Sequence, residues 1–171
     1  FIAVIGGAKV SSKLKLLKHI NSVADHVIVG GGIANTFLKA AGFNIGKSLV
    51  EDSMISIAKE ILESGKVVLP KNVVTSSSFE GENISGKSIL EITEDEMILD
   101  LDIDQDTFFL INKSKTILWN GPMGVFENNF FEKGTKDLSK AIAKAKAFSL
   151  AGGGETLTAI NKYINSDDVS Y

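Results

Sequence analysis

The chain has 171 residues, of which 44% are hydrophobic and 23% are charged, and this length and balance predict one globular domain. Its formal net charge of −3 argues against a basic surface for nucleic acid or an anionic membrane, and no apolar run approaches the ~20 residues that span a bilayer. Without cysteine no disulfide can form, and with no signal peptide visible we predict a cytoplasmic location.

Short β-branched segments alternate with longer amphipathic segments along the chain, which is typical of α/β proteins. The predicted strands are, in chain order, 2–5, 26–29, 66–69, 116–119, 148–151 and 168–171. The predicted helices are 10–23, 33–41, 50–64, 130–146 and 156–164. Residues 73–101 alternate only weakly, and we predict irregular strands and loop there. Continuous apolar strands joined through helices favour a parallel sheet that is covered on both faces.

Four of the predicted strands end in glycine-rich turns, at residues 6–7, 30–32, 121–124 and 152–154. The carboxyl ends of parallel strands share one edge of a sheet, where glycine lets a ligand approach the backbone and helix N-termini attract anions. We therefore predict a site for a phosphate-bearing ligand at this edge, although glycine could also serve tight connections alone.

Lysine supplies all 18 basic side chains of the chain, because arginine is absent. Lys9 and Lys13 lie four residues apart where a predicted helix follows the first glycine turn, so both project beside that turn. Two ammonium groups suit a polyphosphate or a phosphoryl group in transfer; the alternative is a solvated lysine face. Glu155 could ligate Mg²⁺ beside nucleotide phosphates, or it could simply favour a helix N-terminus. Glu127 is a candidate acceptor for ribose hydroxyls.

Six segments together resemble phosphoglycerate kinase in order and spacing, over essentially all 171 residues. They are GGAKVSSK (6–13), GGGIANTFLK (30–39), IGKSLVE (45–51), WNGPMGVFE (119–127), KGTK (133–136) and GGGET (152–156). The resemblance is to the family's C-terminal lobe. It implies a Rossmann-like, three-layer α/β/α domain with a six-stranded parallel sheet that binds ADP or ATP with Mg²⁺.

The resemblance also implies a role for individual residues. Lys9 and Lys13 would be catalytic, holding the nucleotide phosphates and the phosphoryl group in transfer. Glu155 would be the Mg²⁺ ligand, although the family usually has Asp there. The implied nucleotide-binding residues are Gly7, Ala8, Lys9, Lys13, Gly31, Gly32, Leu49, Phe79, Leu101, Asn120, Pro122, Val125, Glu127, Gly153, Gly154, Glu155 and Thr156.

The complete enzyme of this family moves a phosphoryl group between 1,3-bisphosphoglycerate and ADP in glycolysis, giving 3-phosphoglycerate and ATP. The resemblance implies that the phosphoglycerate site belongs to an N-terminal domain absent here. We thus expect a fragment truncated at both ends, monomeric and inactive alone. Two alternatives remain open. A non-catalytic nucleotide-binding or scaffold module would bind without transferring phosphate, and a dinucleotide-dependent oxidoreductase domain would prefer NAD, although the G-x-G-x-x-G fingerprint is missing.

Overall fold

The computed structural model describes all 171 residues and has eight β-strands and six α-helices. The strands are β1 (Ile2–Ile5), β2 (His26–Val29), β3 (Val67–Val68), β4 (Asn72–Ser76), β5 (Ser85–Ser88), β6 (Met97–Leu101), β7 (Thr116–Asn120) and β8 (Phe148–Ala151). The helices are α1 (Val10–Val23), α2 (Gly31–Ala40), α3 (Ile55–Leu62), α4 (Gln105–Lys113), α5 (Lys133–Lys144) and α6 (Gly154–Tyr163). None of these helices combines the length and apolar character that crossing a membrane requires.

Five strands form a parallel sheet in the order β3-β2-β1-β7-β8. Ile2 of β1 lies opposite His26 on one side and Ile117 on the other, so the strands end at nearly the same level. The chain moves outward from β1 through β2 to β3, and later through β7 to β8 on the opposite side. The reversal between β1 and β7 is the position where ligands bind in open α/β sheets.

The helices form two layers around this sheet. Helices α1, α2 and α3 pack against one another, and α5 packs against both α4 and α6. Right-handed crossovers place the helices on opposite faces once the direction of strand addition reverses. The central strands are the most deeply buried, as Val4, Ile5 and Trp119 show, whereas the edge strand β8 leaves Phe148 about half exposed. The predicted three-layer α/β/α architecture is therefore confirmed.

The segment predicted as irregular strands and loop contains a three-stranded antiparallel sheet in the order β5-β4-β6. Strand β6 contacts both α2 and α5, which places it beside the carboxyl edge of the parallel sheet. Helix α4 follows directly and was not predicted. Asp104 caps it by accepting a hydrogen bond from the Thr107 N–H at 2.8 Å.

The predicted sixth parallel strand at residues 168–171 is wrong as a regular element. Ser166–Asp168 forms a 3-10 turn, which the side chains of Asn165 and Asp168 cap reciprocally. Only Tyr171 pairs with β8: its N–H donates to Ser149 O at 3.0 Å, and its carbonyl accepts from Ala151 N at 2.8 Å. Ser170 bonds the N–H and the hydroxyl of Ser149 in β8, at 3.0 Å each, and the polar residues 165–168 form local capping bonds instead of a strand.

Several predicted boundaries also shift. Two predicted helices begin later than expected because a 3-10 turn precedes each of them, at Asp52–Met54 before α3 and at Asn129–Phe131 before α5. Strand β3 is reduced to Val67–Val68. These changes leave the order of the elements unaltered, so the glycine turns still follow their strands.

Candidate functional site

A cleft of about 200 Å³ opens between the carboxyl edge of the parallel sheet and strand β6. Eleven residues that the sequence singled out line it, namely Gly7, Ala8, Gly31, Gly32, Leu49, Phe79, Leu101, Pro122, Val125, Glu127 and Glu155. Leu49 and Phe79 are about half exposed, which leaves two large apolar side chains accessible at this cleft. An apolar cleft with a few polar groups is the usual form of a small-molecule site.

The turns after β1 and β2 touch each other through bare backbone. Ile33 N donates to Gly7 O at 3.0 Å, and Gly31 has φ +62°, which favours glycine. A Cβ on Gly32 would overlap the carbonyl oxygen of Ala8. Glycine is therefore required here for the two turns to meet. The same glycines line the cleft, so they serve the tight connection and also leave backbone accessible to a ligand.

Residues 121–127, which follow β7, form a loop that is hydrogen-bonded to four different elements. Gly121 N donates to Thr156 Oγ1 of α6 at 2.8 Å, and Met123 N donates to Thr135 Oγ1 of α5 at 3.1 Å. In addition, Met123 O accepts from Gly31 N at the start of α2, and Val125 N donates to the β6 carbonyl of Leu99, each at 2.9 Å. The loop is consequently held in place along one wall of the cleft.

The N-terminus of α6 differs from the N-termini of α1 and α2, which also follow glycine turns. At α1, the Ser11 N–H already donates to the Glu51 carboxylate at 2.8 Å. At α2, Gly31 N and Ile33 N are bonded to carbonyls of the neighbouring turns. Gly153 precedes α6 with φ +101°, and no side chain caps that helix. The first N–H groups of α6 thus remain available to an anion.

Lys13 lies between the turns that follow β1 and β7. Its Nζ donates to Gly6 O and, at 3.3 Å, to Asn120 O. Partial burial lowers the pKa of Lys13, and the Glu155 carboxylate counteracts part of that effect. The Asn120 side chain in turn donates to Gly152 O at 2.8 Å. These contacts bring Lys13 and Asn120 to the edge where α6 begins.

Six predicted site residues do not line the cleft itself, namely Lys9, Lys13, Asn120, Gly153, Gly154 and Thr156. Lys9 is exposed at the start of α1, near Glu51. Thr156 is fully buried, and its hydroxyl accepts the bond from Gly121 N. The Thr156 side chain therefore holds the loop after β7 in place. The binding roles of all these residues stay predictions.

The cleft also contains residues that sequence reasoning missed, chiefly Asn35, Asp100, Met123 and Gly124. Asn35 and Asp100 each interrupt an apolar segment, and that was the available signal. Asp100 is 1% exposed, and its two carboxylate oxygens accept from Leu101 N and Gly134 N, both at 2.9 Å. Burial raises the pKa of Asp100 to about 7, although these N–H groups and Lys133 favour the charged form.

Asp100 is expected to make the protein less stable as the pH rises. Because its pKa is higher in the folded chain than the ordinary Asp value near 3.9, the folded state keeps a proton that the unfolded state has lost. The free energy of unfolding should fall between pH 4 and 7 with a slope of up to about 1.4 kcal/mol per pH unit. Urea unfolding of the parent chain and of Asp100→Asn at pH 5, 6, 7 and 8 measures this contribution.

The difference between the two unfolding curves isolates Asp100 from the other titrating groups. Asp100→Asn should cost more stability at pH 5 than at pH 8, because only the parent loses stability as the carboxyl ionises. Asp102→Asn is the control, since the Asp102 side chain is 43% exposed and faces Lys133. A pH-independent difference for Asp100→Asn would contradict the raised pKa.

The residues at the α6 end of the cleft fit a metal ion that arrives with a ligand. No group of three or more His, Cys, Asp and Glu side chains is arranged to hold a metal by itself. Glu155 presents one exposed carboxylate in the first turn of α6. Mg²⁺ usually takes one or two carboxylates together with phosphate oxygens and water. Glu155 could thus supply one ligand to an Mg²⁺ ion whose other ligands are phosphate oxygens and water.

The sequence and the fold both match known proteins. The family model described as phosphoglycerate kinase matches residues 1–171. Phosphoglycerate kinase from Blochmanniella floridana is 49% identical over 173 residues, which is 99% of this chain and 43% of that protein. The one from Vibrio campbellii is 45% identical over 174 residues, covering 99% of this chain and 45% of that protein. The chain therefore spans less than half the length of these curated relatives.

Solved structures give the same result. Phosphoglycerate kinase from Coxiella burnetii superposes with a TM-score of 0.94 at 41% identity, over 99% of this chain and 46% of that one. The protein from Pyrococcus horikoshii OT3 superposes with a TM-score of 0.82 at 32% identity, over 99% and 45% respectively.

Proposed function

The chain belongs to the phosphoglycerate kinase family, and on that premise we propose that these 171 residues are its C-terminal nucleotide-binding lobe. The lobe would bind ADP or ATP together with Mg²⁺. In the complete protein, the remaining length would supply the site for 3-phosphoglycerate or 1,3-bisphosphoglycerate, and the two parts would together carry out the glycolytic phosphoryl transfer.

The observation that carries this proposal is the position of the cleft beside an uncapped helix N-terminus and a half-buried lysine. At about 200 Å³ the cleft is smaller than the ~300–1,000 Å³ that encloses a whole drug-sized ligand, so it suits the base of a nucleotide. The phosphates would then extend toward Gly153, Gly154 and the N–H groups of α6. Lys13 and Asn120 lie at that same end, and Glu127 is among the residues that line the cleft.

The proposed chemistry follows from this division. An oxygen of the ADP β-phosphate attacks the phosphorus of the acyl phosphate, and the bond from phosphorus to the carboxylate oxygen breaks, which releases 3-phosphoglycerate. Lys13 would leave its two carbonyl acceptors to stabilise the charge on the phosphoryl group, and Lys9 would bind the nucleotide phosphates. Mg²⁺, when bound with the nucleotide, supplies additional charge stabilisation there. Phosphoryl transfer requires that both substrates are held in position, so this lobe alone should bind ADP without catalysing the reaction.

Calorimetric titration with ADP and Mg²⁺ tests the proposal. The parent chain should bind ADP, and Lys9→Met should weaken binding about 10-fold, because a charge-assisted hydrogen bond to phosphate is lost. Lys13→Met should have a smaller effect, since the phosphoryl group assigned to Lys13 is not part of ADP and its Nζ is bonded to Gly6 O and Asn120 O. The control is Lys18→Met on the same helix, which is exposed and makes no hydrogen bond, and its affinity should equal that of the parent.

Absence of ADP binding to the parent, or equal affinity in all four proteins, would contradict a nucleotide site at this edge. The full-length protein separates an enzyme from a scaffold of the same fold. A coupled assay should detect ATP formation from 1,3-bisphosphoglycerate and ADP. A full-length protein that binds ADP without forming ATP would support the scaffold alternative instead.

A further inference from the structure

Asn35 of helix α2 has the one buried side-chain nitrogen or oxygen atom in the protein that lacks a hydrogen-bond partner. Its side chain is buried, with the residue only 3% exposed, and it lines the cleft. Nδ2 donates to the carbonyl of Leu49 at 3.1 Å. Because a carbonyl can only accept, this bond determines the orientation of the amide and directs Oδ1 away from Leu49.

An unpartnered buried acceptor is unusual and costs about 1–3 kcal/mol. The neighbouring Thr36 is the other buried polar residue of α2, and its hydrogen bonds are complete. The Thr36 hydroxyl donates to Gly32 O at 3.1 Å and accepts from Glu51 N at 3.2 Å. Half of the residues that line the cleft with Asn35 are hydrophobic, such as Ile98 and Met123, and their side chains offer no donor. Because no group of the protein donates to Oδ1, the missing donor has to come from a molecule bound in the cleft.

We propose that Oδ1 of Asn35 accepts a hydrogen bond from the exocyclic 6-amino group of an adenine base, and so selects adenine over 6-oxopurine nucleotides. The inference rests on the proposed nucleotide function. An amide oxygen is a neutral acceptor, which suits the N–H donor at position 6 of adenine. A 6-oxo group would instead place a second acceptor opposite Oδ1 of a residue that is only 3% exposed, and unpaired buried polar groups of this kind are strongly rejected.

The experiment compares ADP with IDP, which carries a carbonyl in place of the 6-amino group, in Mg²⁺-containing buffer by calorimetry. The parent chain should bind ADP about 10-fold more tightly than IDP. Asn35→Leu keeps the approximate volume and removes the acceptor. It should weaken ADP binding about 10-fold and change IDP binding less than about threefold, so that the preference disappears.

Thr36→Val is the matched control, because it removes a neighbouring buried hydroxyl that bonds the same segment without lining the cleft. It should retain the preference for ADP even if both affinities fall. The parent chain alone keeps the inference testable if Asn35→Leu does not fold. Equal binding of ADP and IDP by the parent, or an unchanged preference in Asn35→Leu, would overturn the role of Asn35 and leave the nucleotide site intact. No binding of either nucleotide to the parent would overturn both proposals.

Discussion

Gly6→Ala is expected to lower the free energy of unfolding by about 4 kcal/mol or more, a large part of the roughly 5–15 kcal/mol that a domain has. A Cβ on Gly6 would overlap the carbonyl oxygen of Pro122 and lie 2.8 Å from the Gly121 carbon. Both are backbone atoms of the loop after β7, and Gly6 N itself donates to Asn120 O at 2.8 Å. No flexible side chain is available to move, so β1 and the loop would have to separate.

Urea unfolding followed by far-UV circular dichroism measures this loss. Gly86→Ala is the control, because a Cβ there meets no atom within 4 Å and the backbone angle is ordinary. Alanine in a strand position should be neutral or stabilise by up to about 1 kcal/mol. If Gly6→Ala cost less than about 1 kcal/mol, the close approach between the two turns would be wrong.

Gly153→Asp is expected to weaken ADP binding about 100-fold or more. The backbone at Gly153 has φ +101° and ψ 144°, a region that costs about 1–3 kcal/mol for residues other than glycine. The new carboxylate would also occupy the uncapped N-terminus of α6 and repel the phosphates by about 1–4 kcal/mol. Strain and repulsion act on the same turn, so together they should lower ADP affinity more than the replacement of one lysine does.

Two further variants separate these causes in the same titration. Gly153→Ala introduces the strain alone and should fall between the parent and Gly153→Asp. Gly86→Ala should bind like the parent, since a Cβ there meets nothing within 4 Å and Gly86 does not line the cleft. Higher salt should narrow the difference between Asp and Ala at position 153, because it screens the charge. Gly153→Asp binding ADP within threefold of the parent would argue against phosphates at α6.

The parallel sheet could be predicted from the sequence because four of its five strands, all except β3, are short runs followed by a glycine turn and then an amphipathic helix. Strand β5 had no such signal. It reads Ser85-Gly86-Lys87-Ser88, without one apolar residue, and it forms because β4 offers it backbone partners. Helix α4 could have been located from its start, since Asp104 is a typical N-cap residue and Asp106 adds an acidic side chain to the first turn.

The glycine turns of the site could be predicted from the sequence. The direction in which a single polar side chain points could not. Thr156 was expected near phosphates, yet its hydroxyl faces Gly121 N, because α6 packs against the loop after β7. Asn35 and Asp100 are single polar residues within apolar segments, and the sequence cannot show whether such a side chain faces core, solvent or cleft. That depends on β6 lying beside α2, a contact between distant parts of the chain.

The hydrogen bonds from residues 121–127 to four elements determine at which step this loop loses conformational entropy. Ordering a backbone costs about 1–2 kcal/mol per residue in conformational entropy, and here that loss accompanies folding. The loop would already be ordered before a nucleotide binds to it, so little further conformational entropy would be lost on binding. Affinity would then depend on distant packing, because loosening α2, α5, α6 or β6 would return mobility to the wall that the base contacts.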